Sequence, residues 1–187
     1  TFKKNLDTKS YAIFGTSRSK SKNYVYFDFF KKNTFKNIEQ IKPHYIINCI
    51  GLLSSKFDEE ILGHRINCLK LNTFLPMRLA NKFPQSKIIH ISTNGVYDGL
   101  KGNYLENDTP NCNNLYGRSK LLGEIKSNNV MNIRTSLIGF EKKNNEIISL
   151  LNWFIKNKSK KLFGYTNHYW NGITNLSLSK LLLSIIE

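Results

Sequence analysis

Long apolar runs are missing from this sequence. None approaches the roughly 20 residues needed to cross a bilayer, and the longest candidate, Leu181 to Ile186, reads as a buried helix face. The opening Thr1-Phe2-Lys3-Lys4-Asn5 has no apolar stretch followed by a small-residue cleavage site, so no secretory leader is expected. Cysteine is scarce. Cys49, Cys68 and Cys112 are odd in number and irregularly spaced, which argues against a disulfide framework or a zinc site and for free thiols in a reducing cytosol. A cytoplasmic location with no metal and no membrane is therefore expected. Repeats and low-complexity segments are absent as well.

Acidic residues are also in short supply, 13 against 28 lysines and arginines, and the net charge is +15. That excess raises nucleic acid as a partner. The lysines are scattered in ones and twos, however, as at Lys3-Lys4, Lys31-Lys32, Lys142-Lys143 and Lys160-Lys161, with no tract and no RNP-like aromatic motif. A solvated basic surface is the better reading, one that also attracts anionic substrates or cofactors. With 40% hydrophobic and 12% aromatic residues the chain is globular, and 187 residues suffice for one domain or a domain plus part of a second.

Short β-rich runs alternate with longer helical patterns, which predicts a parallel sheet flanked by helices. The runs are Tyr11–Phe14 (stopped by Gly15), Tyr24–Phe27 (ending at Asp28), His44–Ile50 (ending at Gly51), Lys87–Ile91, and a fifth ending in Asn132-Ile133-Arg134. Helices are predicted over Phe35–Ile41, Glu59–Phe83, Leu115–Lys126, Glu146–Lys156 and Leu176–Ile186. The second of these is strongly amphipathic, with Leu71, Leu75, Leu79 and Phe83 at helical spacing. The fold class is α/β, a Rossmann-type doubly wound sheet with right-handed crossovers.

A glycine-rich turn after the first strand is absent, although dinucleotide-binding sheets hold the pyrophosphate there. Either the cofactor is not a dinucleotide, or the first strand and its turn lie upstream of Thr1. The second reading is preferred, because Thr1 is not a methionine start and Thr1 to Leu6 has the character of a helix tail.

The strongest local signal is Tyr116-Gly-Arg-Ser-Lys120. Residues four apart share a helix face, and an adjacent ammonium lowers a phenol's pKa so that it can pass a proton. The motif follows a strand that runs into Ser92-Thr93-Asn-Gly-Val-Tyr-Asp-Gly99. A hydroxyl at the carboxyl end of a strand is where open α/β sheets place their sites, so Thr93 is expected beside Tyr116.

Seven segments in this order resemble the extended short-chain dehydrogenases/reductases, most closely the dTDP-4-dehydrorhamnose reductase branch. They are Asp28 after a strand, Asn48-Cys-Ile-Gly51, Asn72-Thr-Phe-Leu-Pro-Met-Arg-Leu-Ala80, Ser92 to Gly99, Tyr116 to Lys120, Arg134-Thr-Ser-Leu-Ile-Gly139 and Trp170-Asn-Gly-Ile-Thr174. The resemblance implies that Tyr116 protonates a keto oxygen as hydride arrives from a nicotinamide, that Lys120 binds the nicotinamide ribose and holds the phenol's pKa down, and that Thr93 hydrogen-bonds the reacting oxygen. It implies that Asn72 helps position the lysine, that Asp28 meets the adenine edge, and that Asn48, Cys49, Ile50 and Gly51 line the cofactor groove. Arg134, Trp170 and Asn171 would shape the substrate region.

Cofactor preference is argued from Gly15-Thr16-Ser17-Arg18-Ser19-Lys20, where hydroxyls and cations stand in place of the carboxylate that NAD-binding strands usually end on. Arg18 suits a 2′-phosphate, with Ser17 or Ser19 donating beside it and Thr16 lining the turn. NADP is expected ahead of NAD. The division expected is residues 1–135 for cofactor and 136–187 for an incomplete substrate lobe, with a helix returning to the sheet. The substrate implied is a nucleotide-linked sugar, and the long helices offer faces for a homodimer. An epimerase or dehydratase of the same fold, and a non-catalytic NADP-binding regulatory subunit, are the rival readings. Asn94-Gly95 after Thr93 supplies no carboxylate of the kind a dehydratase wants there.

Overall fold

The computed structural model describes residues 11–139, 149–167, 169–170 and 172–187. Its elements run β1 (Thr16–Ser17), β2 (Val25–Tyr26), α1 (Phe35–Glu39), β3 (Tyr45–Asn48), α2 (Leu62–Leu69), a widened π-type turn (Lys70–Phe74), α3 (Leu75–Lys82), β4 (Lys87–Ile91), α4 (Leu115–Leu122), β5 (Val130–Ile133), β6 (Leu137–Ile138), α5 (Leu150–Lys156), β7 (Ile173–Thr174) and α6 (Asn175–Ile186). Residues Phe14–Arg134 form one compact unit, and Thr135–Glu187 belong to a second.

In the first unit β3, β4 and β5 make a parallel sheet in that order, with Ile46 opposite Ile88 and Ile88 opposite Val130. Helical crossovers join these strands in sequence, which is the Rossmann-type α/β arrangement. One sheet face meets a core of Phe27, Phe35, Ile38, Leu75, Leu79, Phe83 and Ile88. Leu75 and Leu79 stand one turn apart on α3, so a single helical stripe covers the strand row. Burying each of these side chains contributes about 2 kcal/mol. Phe27 and Phe35 meet edge to face at 5.1 Å, and the Arg78 guanidinium lies 4.8 Å from the centre of the Phe35 ring.

Two sequence expectations need correction. Tyr11–Phe14 is not a strand. The ladder forms just after it, where Gly15 O accepts from Val25 N at 2.8 Å and Ser17 O accepts from Phe27 N at 2.9 Å. Pairing is set by where β2 can reach, and a Cβ on Gly15 would sit 2.9 Å from the Tyr24 ring, so the bare glycine lets the two segments close. Nor is Glu59–Phe83 one regular helix, because the Lys70–Phe74 turn widens between α2 and α3 and carries Asn72 and Thr73 inward.

The second unit contains parallel β6 and β7, in register at Leu137 with Ile173, followed by α6 capped by Thr174, whose Oγ1 accepts from Ser177 N at 3.0 Å. Its last helix is only partly buried, with Leu182 covered and Leu181 exposed. The predicted helix tail Thr1–Leu6 and the start of the Glu146 helix lie outside the described residues. None of the helices described is long and apolar enough to cross a membrane.

Candidate active site at the carboxyl edge of the central sheet

Because β3, β4 and β5 are parallel, their carboxyl ends open on one edge, and the chain leaves them as Asn48-Cys-Ile-Gly51, Ser92-Thr93 and Arg134. α4 is brought to this edge by its own start. Asn114 Oδ1 accepts from Gly117 N at 2.8 Å, the usual service of an N-cap asparagine. A Cβ on Gly117 would stand 2.3 Å from Gly95 O, so glycine is what allows the first helical turn to press against the turn after Thr93.

Tyr116 and Lys120 then share one helix face beside Thr93. Thr93 and the Tyr116 ring both flank Gly95, where an added Cβ would lie 3.3 Å from Thr93 Oγ1 and 3.9 Å from Tyr116 Cε1, and Thr93 Oγ1 accepts from Gly95 N at 3.1 Å. Lys120 is buried, and its ammonium donates to Ile91 O at 2.6 Å. Burial lowers the lysine from near 10.5 to about 8, with Cys49 and Glu124 working the other way. The phenol departs from expectation. Burial pushes the Tyr116 pKa up, only Thr93 pulls it down, and Lys120 is not among the groups acting on it. The ammonium is turned to a backbone carbonyl instead, and a phenol in this setting stays protonated at neutral pH.

Asn72 sits below this group with no exposed surface. Its Oδ1 accepts from Leu52 N at 2.7 Å, and its Nδ2 donates to Leu52 O at 3.0 Å and Ser119 Oγ at 3.0 Å. Thr73 Oγ1 donates to Ser119 O at 2.7 Å. Asn72 therefore does not bond Lys120. It fixes the strand-end loop and the helical residue before the lysine, and Gly51 packs between the two, where a Cβ would be 3.2 Å from Asn72 Oδ1 and 3.5 Å from Lys120 Nζ.

The other expected residues are spread more widely. Asp28 ends the β2 segment, and its Oδ1 accepts from Phe30 N at 2.9 Å. Thr16 and Ser17 form β1, Ser17 Oγ accepts from Ser19 N at 3.1 Å, and Arg18 is exposed without an ion pair among the described residues. Arg134 is committed elsewhere. Its guanidinium grips Glu124 through Nη2 to Oε2 at 2.7 Å and Nε to Oε1 at 3.0 Å, and Nη1 donates to Tyr97 and to Glu106 O. It braces the loop after β4 rather than presenting an open cation. Trp170 is part exposed in the second unit, and Asn171 lies outside the described residues.

Several contributors had no motif to announce them. Ser92 Oγ donates to Glu124 Oε1 at 2.6 Å, completing the Arg134 clamp. His90 is fully buried and hydrogen-bonded through Nδ1 to Asn48 Nδ2 at 3.0 Å. A histidine one residue before the end of an apolar strand, on the face of Ile88, was the available signal for it. No group of metal-binding side chains occurs among the described residues.

The family described as the RmlD substrate binding domain matches residues 2–163. The chain belongs to that family. Among curated proteins it is 38% identical over 87 residues to methionine adenosyltransferase 2 subunit beta of Danio rerio and 33% identical over 89 residues to that of Bos taurus. Each match covers 46% of this chain and 26% of the relative, so the chain spans about a quarter of those proteins in the matched region. Among solved structures it is similar to a hypothetical dTDP-4-dehydrorhamnose reductase from Sulfolobus tokodaii, at 27% identity and TM-score 0.72 over 91% of this chain and 61% of that one. It shares the fold of dTDP-4-dehydrorhamnose reductase from Bacillus anthracis, solved in complex with NADP, at 20% identity and TM-score 0.79 over 99% of this chain and 65% of that one. The fold is thereby that of RmlD-like short-chain dehydrogenases/reductases.

Proposed function

We propose that this chain carries the reaction centre of an NADPH-dependent reductase acting on a keto group of a nucleotide-linked sugar. The observation that carries the reading is the convergence of Thr93, Tyr116 and Lys120 at the carboxyl edge of β4. Two observations bear on the fit of a nicotinamide cofactor. Gly51 presents no Cβ beside the buried Lys120 ammonium, and among the described residues that ammonium makes one hydrogen bond, leaving donors for ribose hydroxyls. These residues suit the nicotinamide-ribose end of the cofactor, with Asn48 to Gly51 along the groove, Asp28 at the adenine edge, and Thr16, Ser17 and Arg18 toward a 2′-phosphate. A pyrophosphate-binding glycine turn is not in the sequence.

When bound, the reduced nicotinamide supplies hydride to the carbonyl carbon. The chain's own part is the oxygen. The Thr93 hydroxyl orients it, and the Tyr116 phenol, kept protonated by burial, delivers the proton. Lys120 holds the ribose, while the Thr93 hydroxyl is the group that pulls the phenol's pKa down. Residues 1–135 are assigned to cofactor and chemistry, and 136–187 to the substrate side.

A second reading is favoured by one finding, that the curated relatives are named as a subunit of another enzyme. An NADP-binding partner subunit would keep the groove and lose the chemistry. The test is NADPH oxidation by the full-length gene product with dTDP- and UDP-linked 4-keto sugars, run beside Tyr116→Phe. Turnover of one sugar with a loss of at least ~100-fold in the variant supports the reductase. NADPH binding with no turnover, unchanged by Tyr116→Phe, gives the subunit reading.

A further inference from the structure

A buried histidine in β4 has asparagines for both of its neighbours in register. Asn48 of β3 is paired with His90, and His90 with Asn132 of β5. Residues in register on adjacent strands project to the same face. A polar row therefore crosses the sheet directly after the apolar row Ile46, Ile88 and Val130. This row lies behind the strand ends that form the candidate active site.

Hydrogen-bond roles along the row follow from the partners. Asn48 Oδ1 accepts from Ile50 N at 3.1 Å, so the amide nitrogen faces His90, 3.0 Å from Nδ1. An amide NH2 only donates, so Nδ1 accepts and the ring proton resides on Nε2. Asn132 Nδ2 donates to Ile125 O at 3.1 Å, which leaves its Oδ1 as an acceptor. His90 Nε2 and Asn132 Oδ1 are both buried, and neither has a hydrogen-bond partner among the described residues. One is a donor and the other an acceptor, on register neighbours. Buried groups in this relation are characteristically satisfied by an internal water.

We propose that His90 Nε2 and Asn132 Oδ1 hold one internal water, and that the chain Ile50 N, Asn48, His90, water, Asn132, Ile125 O is a positioning device of the site. It ties the Asn48–Gly51 loop to the segment that follows α4, the helix of Tyr116 and Lys120. His90 touches no reacting atom. It acts by holding two strand ends and one helix exit in fixed relation, and it does so as a neutral ring. Burial and the Lys120 ammonium together lower its pKa to about 3, against a smaller opposing effect of the Asn48 backbone. An imidazolium would set an Nδ1 proton against the Asn48 amide protons and break the chain between Asn48 and His90.

The hydrogen-bond chain does not depend on the reductase reading; only its consequence for turnover does. Its test is therefore spectroscopic. In the 15N-labelled protein at pH 7, His90 should show the Nε2–H tautomer, with cross-relaxation between that proton and a long-lived water. Amide exchange at Ile50 should quicken by on the order of tenfold in Asn132→Leu, two strands away. Exchange at Leu52, which Asn72 holds, should stay within about twofold. An Nδ1–H tautomer, no water contact, or an unchanged Ile50 amide each overturns the proposal. Should Asn132→Leu fail to fold, the tautomer and water measurements on the unsubstituted protein decide alone. NADPH turnover, measured separately, fails or succeeds without altering these outcomes.

Discussion

At the scale of single residues, the site is governed by what burial does to charge. Lys120 is lowered from near 10.5 to about 8, so between those values the unfolded chain binds more protons than the folded one. Stability from this group therefore rises as pH increases through that window, by at most about 3 kcal/mol. Denaturant titration at pH 7, 8.5 and 10 should show the rise, and Lys120→Met should flatten it. Arg134 belongs to the same logic. Arg134→Ala leaves the Glu124 carboxylate, which is mostly buried, without its bidentate partner, and should cost roughly 3 kcal/mol in chemical denaturation. Arg134→Lys keeps the charge but loses the fork, and should recover less than half of that. The Tyr116–Lys120 spacing was legible in the sequence because it is local. The phenol's actual state was not, since it depends on which carbonyl the ammonium turns toward, a tertiary fact.

At the scale of elements, two glycines set how closely α4 approaches its neighbours. A Cβ on Gly123 would fall 2.1 Å from Asn72 O and 3.0 Å from Pro76 Cγ. Gly123→Ala should force α4 away from the widened turn and cost at least about 2 kcal/mol, with Tyr116 and Lys120 displaced together. Thermal melting reads the first effect, and NADPH affinity the second. β4 was read from sequence at its true bounds, and β3, β5 and α4 to within a few residues, because continuous apolar runs bounded by glycine or polar loops mark buried parallel strands. Tyr11–Phe14 misled for the same reason. Its apolar run lacks a partner strand among the described residues, and pairing decides where a ladder forms. The break in the long helix was also invisible, since the hydrophobic spacing of Leu71, Leu75 and Leu79 is equally compatible with an unbroken helix. Asn48, Gly51 and Asn72 were found through resemblance, whereas Ser92, Ser119 and Glu124 needed the fold to bring them together.

At the scale of the whole molecule, a chain of net charge +15 is expected to take a polyanionic cofactor. Long-range attraction of that kind is screened by salt. NADPH affinity should fall several-fold between 50 and 500 mM salt, while the Tm, resting on the Phe35–Leu79–Ile88 core, should move little. A gel shift with single-stranded RNA at the higher salt should show no retained complex, and retention there would reopen the nucleic-acid reading.

The widened turn at Lys70–Phe74 has a further consequence. A π-type turn holds about one residue more than the α-helical turn it replaces, so it behaves as an insertion that the helix has absorbed. Everything after it, including Leu75 and Leu79, keeps its face toward the sheet, while Asn72 swings to where it can hold Leu52. Excising one residue from this turn should leave a regular helix that still folds against β4, yet cannot deliver an amide to the strand-end loop. Here the chain's length, counted to a single residue, carries information that no substitution at position 72 could supply.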